Sequence, residues 1–376
     1  MIRLQTVWVF LFAALLLAAG CGDDATSPTP EDPSFEPLPP VNPQAAGDRL
    51  FGITISRSEN GFMADYAEAR SAGTQFSEVF LAWNAVETAE GVYTDPDGII
   101  EATGFYAAEG HKVLLVLAPM DTAGPLVPGY LVAENWDSRA MIFAFNAYLD
   151  WVLAALPAGL EVVGISIGNE VNLGVPADQQ DDFLVFLGGA VSHAHSIWPN
   201  TPVGVKTTVA DGLFGPTANF VRAVNDSTDV VMLNYYLVDG QFQVRPAFNV
   251  HNEFSSIAGE FSGREVWLTE VGFPSGSEHC GSSEDKQAGF FHEVFTAWDN
   301  QRATFKLLNI NWLNDASSEQ VDAWAEYYGS SRPAFLEFLG TLGVRSHAGQ
   351  DKNAWLQIKA ETGARGWHQA ADSTNH

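Results

Sequence analysis

The chain has 376 residues, with 46 Asp and Glu against 18 Lys and Arg and a formal net charge of −28. Hydrophobic residues make up 46% and aromatics 12%, enough for a large core, so wholesale disorder is excluded. The acidic balance speaks against nucleic-acid binding and polybasic docking on anionic lipid, and two cysteines, Cys21 and Cys280, cannot build a disulfide scaffold or a cysteine-rich zinc site.

Residues 1–20 read as an export signal. Arg3 precedes an apolar run from Val7 to Ala19, too short to span a bilayer but suited to the core of a secretory signal. The run ends in Leu17-Ala18-Ala19-Gly20-Cys21, which resembles a bacterial lipobox, with Leu one position further from the Cys than usual. The resemblance implies that Cys21 is lipidated and that the chain is exported across the inner membrane. The absence of Asp directly after Cys21 fits outer-membrane sorting, on the periplasmic face or the cell surface. Residues 22–47 hold seven of the 19 prolines. Residues 21–47 are therefore expected to be a disordered, extended tether. With Cys21 lipidated, Cys280 is left without an intramolecular disulfide partner.

From residue 48 onward, strand and helix signals alternate. Leu50 to Ile55 reads as a strand and Asn60 to Ser71 as a helix; Phe76 to Leu81 as a strand and Gly98 to Glu109 as a helix. Val113 to Leu117 is continuously apolar, as a parallel strand covered on both faces should be. Asp137 can cap a long helix running to Leu156. Val162 to Ile167 is strand four and Ala177 to Trp198 its helix; Pro202 to Lys206 is strand five, and Pro216 opens a helix to Val224. Val230 to Leu233, Val266 to Thr269 and Phe305 to Ile310 complete the strands, with helices at Asn249 to Phe261, Glu284 to Asn300 and Pro333 to Leu339. Eight such units suggest a single-domain (β/α)8 TIM barrel over residues 48–345. A doubly wound open sheet is the competing architecture, weakened by the lack of a GxGxxG after strand one. Residues 346–376 lose clear periodicity and are expected to be a partly disordered extension.

In a barrel of this class, function sits at the C-terminal ends of the strands. Two ends carry a glutamate: Ile167-Gly168-Asn169-Glu170-Val171 on strand four and Leu268-Thr269-Glu270-Val271-Gly272-Phe273-Pro274 on strand seven. These strands lie across the mouth from each other, so their carboxylates can face one substrate. Two carboxylates flanking one bond are the minimum equipment for glycoside hydrolysis, one protonated to donate to the leaving oxygen and the other ionised. Environment must separate their pKa values, since the side chains are identical. Asn169, beside Glu170, suits a sugar 2-hydroxyl.

The two motifs resemble the strand-four and strand-seven signatures of clan A glycoside hydrolases. Within the clan they are most similar to endo-β-1,3-glucanases and more loosely to endo-β-1,4-galactanases, with Val271 and Phe273 where the former carry Ser and Trp. Trp83-Asn84-Ala85-Val86-Glu87 is similar to the strand-two exit of clan members acting on β-linked sugars. The resemblance implies Glu170 as general acid/base, Glu270 as nucleophile and Asn169 on the 2-hydroxyl. It also implies that Tyr236, with Tyr235 as the fallback, hydrogen-bonds the nucleophile, and that Trp312 is the aromatic platform for the sugar. It implies a β-linked glycan as partner and no cofactor or metal, and the acidic excess argues for a neutral glycan over a polyanionic one.

Trp83, Trp324, Tyr327 and Tyr328 are candidates for sugar subsites, although Trp324 onward equally fits loop packing. Glu87 and Asp121 follow strands and read as structural or supporting groups. His193 and His195 point to different faces of one helix and do not suit a metal. The adjacency of His279 and Cys280 is not the geometry a nucleophilic pair requires. The sequence leaves the sugar, its linkage and the endo or exo mode open. The alternative to a retaining β-glycosidase is a non-catalytic carbohydrate-binding lipoprotein on the same scaffold, with a two-lobed solute-binding protein a weaker third.

Overall fold

The computed structural model describes residues 35–367; the signal segment, Cys21 and the first part of the tether lie outside them. The eight barrel strands are β1 (Leu50–Ile53), β2 (Phe76–Ala82), β3 (Lys112–Ala118), β4 (Val162–Ile167), β5 (Val203–Gly204 and Lys206–Thr208), β6 (Val231–Tyr236), β7 (Val266–Gly272) and β8 (Phe305–Ile310). All their pairings are parallel. The two ends of the sheet order are the two pieces of β5, separated at Val205, so the sheet closes on itself. Ser166 bridges that interruption: its hydroxyl accepts the Lys206 N–H at 3.0 Å and donates to the Gly168 carbonyl at 2.7 Å. Closure rules out the open doubly wound sheet.

Helices α1 (Phe62–Ser71), α2 (Ile99–Ala108), α3 (Arg139–Ala155), α4 (Gln180–Ile197), α5 (Ala218–Asp226), α6 (Asn249–Glu260) and α7 (Glu284–Asn300) follow β1 to β7 in turn. Two buried apolar clusters join the strands to these helices. A third, smaller cluster fills the barrel interior at its N-terminal end with Phe76, Leu114, Met232, Trp267 and Leu307. Glycines make room for these rings: a Cβ on Gly52 would lie 2.4 Å from the Phe76 ring, and one on Gly164 2.4 Å from Trp267. Side chains along a strand alternate between faces, so the next inward positions stand one pleat nearer the mouth. Most of these are polar, Glu78, Ser166, Lys206, Asn234 and Asn309 among them, with Val116 of β3 the apolar exception.

Several elements differ from expectation. Ser138, not Asp137, caps α3, its hydroxyl accepting the Met141 N–H. Pro216 does not open α5, which starts at Ala218 after a turn at Val209–Leu213; Asn172 ties Thr208 to Thr217 and so sets the chain's path there. After β8 come α8 (Ser318–Tyr327), α9 (Pro333–Gly340) and a further helix, α10 (Asn353–Arg365), where the sequence suggested only an extension. α10 packs on α7 with Trp355 and Ile358 buried, but Gln357, Glu361 and Arg365 share its buried face. Arg365 pairs with Asp299 at 2.7 Å and with Glu361 at 2.5 Å, and this polar content dilutes the apolar period. The end of the expected tether is also held. Leu38 exchanges two hydrogen bonds with Gln357, and the Gln44 N–H donates to Asp299 at 3.1 Å. Among the described residues no helix is long and apolar enough to cross a membrane.

Candidate active site

β4 ends at Ile167, and Gly168 turns the chain at φ +94°; a Cβ there would meet Val171 at 2.6 Å. Glu170 follows in the left-handed region, at φ +46° and ψ +40°, and starts a short helical turn over Val171–Gly174. A non-glycine residue held in that region is strained by about 1–3 kcal/mol, and such residues cluster at functional sites. The turn aims the carboxyl inward. Its Oε1 accepts from Asn234 Nδ2 at 3.1 Å and its Oε2 from the Thr122 hydroxyl at 2.7 Å. Burial, and then the charge of Glu270, push the Glu170 pKa up to about 7.

Glu270 reaches the same cavity by a different device. Trp267 faces the barrel interior, and Leu268 and Val271 face the helices. The pairing of β6 with β7 skips a residue, Leu233 opposing Leu268 and Asn234 opposing Glu270. This bulge lets consecutive residues, Thr269 and Glu270, both turn inward. Thr269 donates to Asn234 Oδ1 at 2.9 Å, which orients the Asn234 amide toward Glu170. Glu270 Oε2 accepts from the Tyr236 hydroxyl and from Asn311 Nδ2, the latter at 3.2 Å. Its Oε1 lies 2.5 Å from Lys206 Nζ.

Lys206 has no exposed side-chain surface, and its ammonium also meets both oxygens of Glu78, at 2.8 and 2.9 Å. Burial alone would push this amine down, but Glu270 and Glu78 hold it above its ordinary value. Glu78 is pushed up to about 7, chiefly by burial and against the attraction of Lys206, with Glu270 adding repulsion. One ammonium thus serves two carboxyls, and Glu270 adds a direct hydroxyl and amide donor set of its own. Hydrogen bonds to the charged form favour ionisation, and burial without such partners favours the neutral form.

The other sequence candidates divide. Tyr236, rather than Tyr235, touches Glu270; Tyr235 is buried among Phe254 and Phe290 and donates to Glu253 at 2.8 Å. Asn169 Nδ2 donates to Asp121 Oδ1 at 2.8 Å, and its Oδ1 accepts from Asn234 at 3.3 Å. Trp312 is half-buried, with one face stacked on Trp324 at 4.6 Å between centroids. Trp83 is not a cleft residue: its ring is fully buried against Phe145 and Tyr148, and its indole N–H donates to Glu87 at 2.8 Å. The strand-two motif therefore serves packing, with Glu87 also bound to Tyr130. His193 and His195 pair with Asp150 and Asp229 respectively. Cys280 is buried, and its thiol is pushed up to about 12 by burial and by Glu337.

Lys206, Glu78, Thr122, Asn234 and Asn311 escaped the sequence reading. Two of them had a signal: Glu78 is the one charged residue in a largely apolar strand, and Lys206 closes the apolar stretch of strand five. A lone charge on a strand buried on both faces must face the barrel interior, because the outer face is sealed by helices. Thr122, Asn234 and Asn311 have no such mark.

No family model and no curated protein matches the chain. Solved structures do match its fold. A family 39 glycoside hydrolase from the gut symbiont Bacteroides cellulosilyticus WH2 superposes with a TM-score of 0.59 at 16% identity, over 85% of this chain and 65% of that one. A GH5_18 protein from Streptomyces cattleya in complex with GlcNAc gives 0.63 at 17%, over 87% and 81%. An exo-β-1,4-mannosidase from Opitutaceae bacterium strain TAV5 gives 0.65 at 13%, over 84% and 59%. The chain thus spans less than two thirds of the first and third of these proteins. At these identities the likeness carries the fold, and not the finer resemblance to endo-β-1,3-glucanases or endo-β-1,4-galactanases. The chain shares the (β/α)8 barrel fold of these glycoside hydrolase structures.

Proposed function

We propose that the chain is a retaining β-glycosidase acting on a neutral β-linked oligo- or polysaccharide by double displacement. The supporting observation is the pair of glutamates at the β4 and β7 exits, one poised near pH 7 and the other bound to Lys206, Tyr236 and Asn311. In the first step a Glu270 oxygen bonds to the anomeric carbon as the bond from that carbon to the leaving oxygen breaks; Glu170 gives its proton to that oxygen. In the second, Glu170 takes a proton from water, whose oxygen bonds to the anomeric carbon and releases Glu270. Asn169 binds the 2-hydroxyl, and the half-buried Trp312 ring, backed by Trp324, receives the sugar ring.

Glu78 and Glu270 share the Lys206 ammonium, and the carboxyls of Asp121 and Glu170 stand nearby, a balance that favours a neutral sugar over a uronate. The lipidation of Cys21 and attachment to the outer membrane belong to the same proposal and rest on the sequence.

The experiment is hydrolysis of 4-nitrophenyl β-glycosides and β-linked oligosaccharides by the wild type and Glu270→Ala. The variant is expected to lose activity on the order of 10⁴-fold or more while its circular dichroism is unchanged. Proton NMR of the first product should show the β-anomer. Unchanged turnover in the variant, or an α-anomer, overturns the reading.

A further inference from the structure

One contact crosses the mouth of the barrel. α8, in the excursion after β8, delivers Tyr327 to the exit of β3, where its hydroxyl donates to Asp121 Oδ2 at 2.5 Å. The strands run β8, β1, β2, β3 around the barrel, so this bond joins two exits separated by the rim of β1 and β2. Asp121 has no exposure, and its other oxygen accepts from Asn169. The contact is braced from behind. Tyr328 meets Tyr327 edge-on at 4.9 Å and Phe335 of α9 edge-on at 5.4 Å. Tyr328 also lies near enough to Asp121, Glu170 and Glu270 for all three to raise its pKa, after burial.

We propose, on the glycosidase reading above, that the Tyr327–Asp121 bridge walls off the glycone end of the cleft. The site is then a pocket for one terminal sugar ring, and the enzyme removes single residues from non-reducing chain ends. The argument is one of ring geometry. The sugar attacked by Glu270 places its 2-hydroxyl at Asn169. On a pyranose the 3- and 4-hydroxyls follow the 2-hydroxyl away from the anomeric carbon. The groups beyond Asn169 on that edge are Asp121 and Tyr327. A free hydroxyl there meets the half-buried phenol of Tyr327, with Asp121 sealed behind it. A glycosidic bond there would have to carry the next sugar through a hydrogen-bonded, aromatic-braced contact. The leaving side, at the anomeric carbon, is unaffected.

The test uses β-1,3- and β-1,4-linked gluco- and manno-tetrasaccharides labelled at the reducing end, followed from the earliest time points. The wild type is expected to release label as trisaccharide first, then disaccharide, with free monosaccharide as the unlabelled product. Labelled mono- or disaccharide appearing first, with an unlabelled oligosaccharide, overturns the proposal and leaves the glycosidase reading standing. No cleavage of these or of any aryl β-glycoside overturns both. Tyr327→Ala should raise the ratio of internal to terminal cuts about tenfold or more, whereas Tyr327→Phe, which keeps the ring, should preserve terminal release. A folded Tyr327→Ala chain that still cuts only at ends rejects the bridge as the wall. If Tyr327→Ala fails to fold, the wild-type product order decides.

Discussion

A carboxyl can act as an acid near neutral pH only where its surroundings favour the proton, and the contacts of Glu170 supply this by burial and by a facing anion. As pH rises through about 7 this proton is lost, so turnover should fall on the alkaline side with that midpoint. Glu170→Ala should remove the alkaline limb and slow aryl glycosides with poor leaving groups far more than those with good ones. Equal slowing for both, or a surviving limb, would reject Glu170 as the donor. Lys206 carries the complementary load. Lys206→Met leaves Glu78 and Glu270 facing each other without a cation, a loss of about 3–5 kcal/mol for a broken buried pair. Urea melts should register it, with a fall in kcat as Glu270 loses the ion pair that holds its carboxyl in place. An unchanged melting midpoint would mean that the ion pair contributes nothing net.

Strands decide which side chains meet in the mouth. Strict alternation along β7 would send Glu270 to the helix side once Thr269 faces inward, and the bulge against β6 reverses that. On β4 the reversal comes from Gly168 and the left-handed Glu170. Both glutamates were legible as strand-end acids, because an acid closing an apolar strand must leave the core. The bulge was not legible, since pairing register depends on a partner strand that sequence spacing does not fix. Trp83 shows the opposite failure: an aromatic at a strand exit fits a sugar platform and a core equally well, and only its packing on Phe145 and Tyr148 separates the two. The same strands must also stay narrow at the floor. Gly164→Ala would place a methyl 2.4 Å from the Trp267 ring and should destabilise the barrel by about 1–3 kcal/mol in thermal melts. A neutral result would mean that the ring has room to withdraw.

At the scale of the molecule, eight apolar strands separated by amphipathic helices were enough to infer a barrel, and closure through the split β5 confirms it. α10 was hidden because its buried face is half ionic, and ion pairing across α7 leaves no apolar stripe to detect. The proposed export signal carries with it attachment through Cys21. Cys21→Ser is expected to move the chain from the membrane to the soluble fraction while its activity on aryl glycosides is retained; a chain that stays in the membrane pellet would reject the anchor. The segment from Leu38 to Arg49 sets the face of the barrel at which such an attachment would join the fold. It is fastened by Gln357 and Asp299 beneath the barrel, and Arg49 adds an ion pair to Asp299 at 2.8 Å just before β1 begins. A leash leaving from the underside holds the molecule like a cup by its foot. Under the proposed anchor, the point of attachment and the opening that receives chain ends would lie on opposite faces of the barrel.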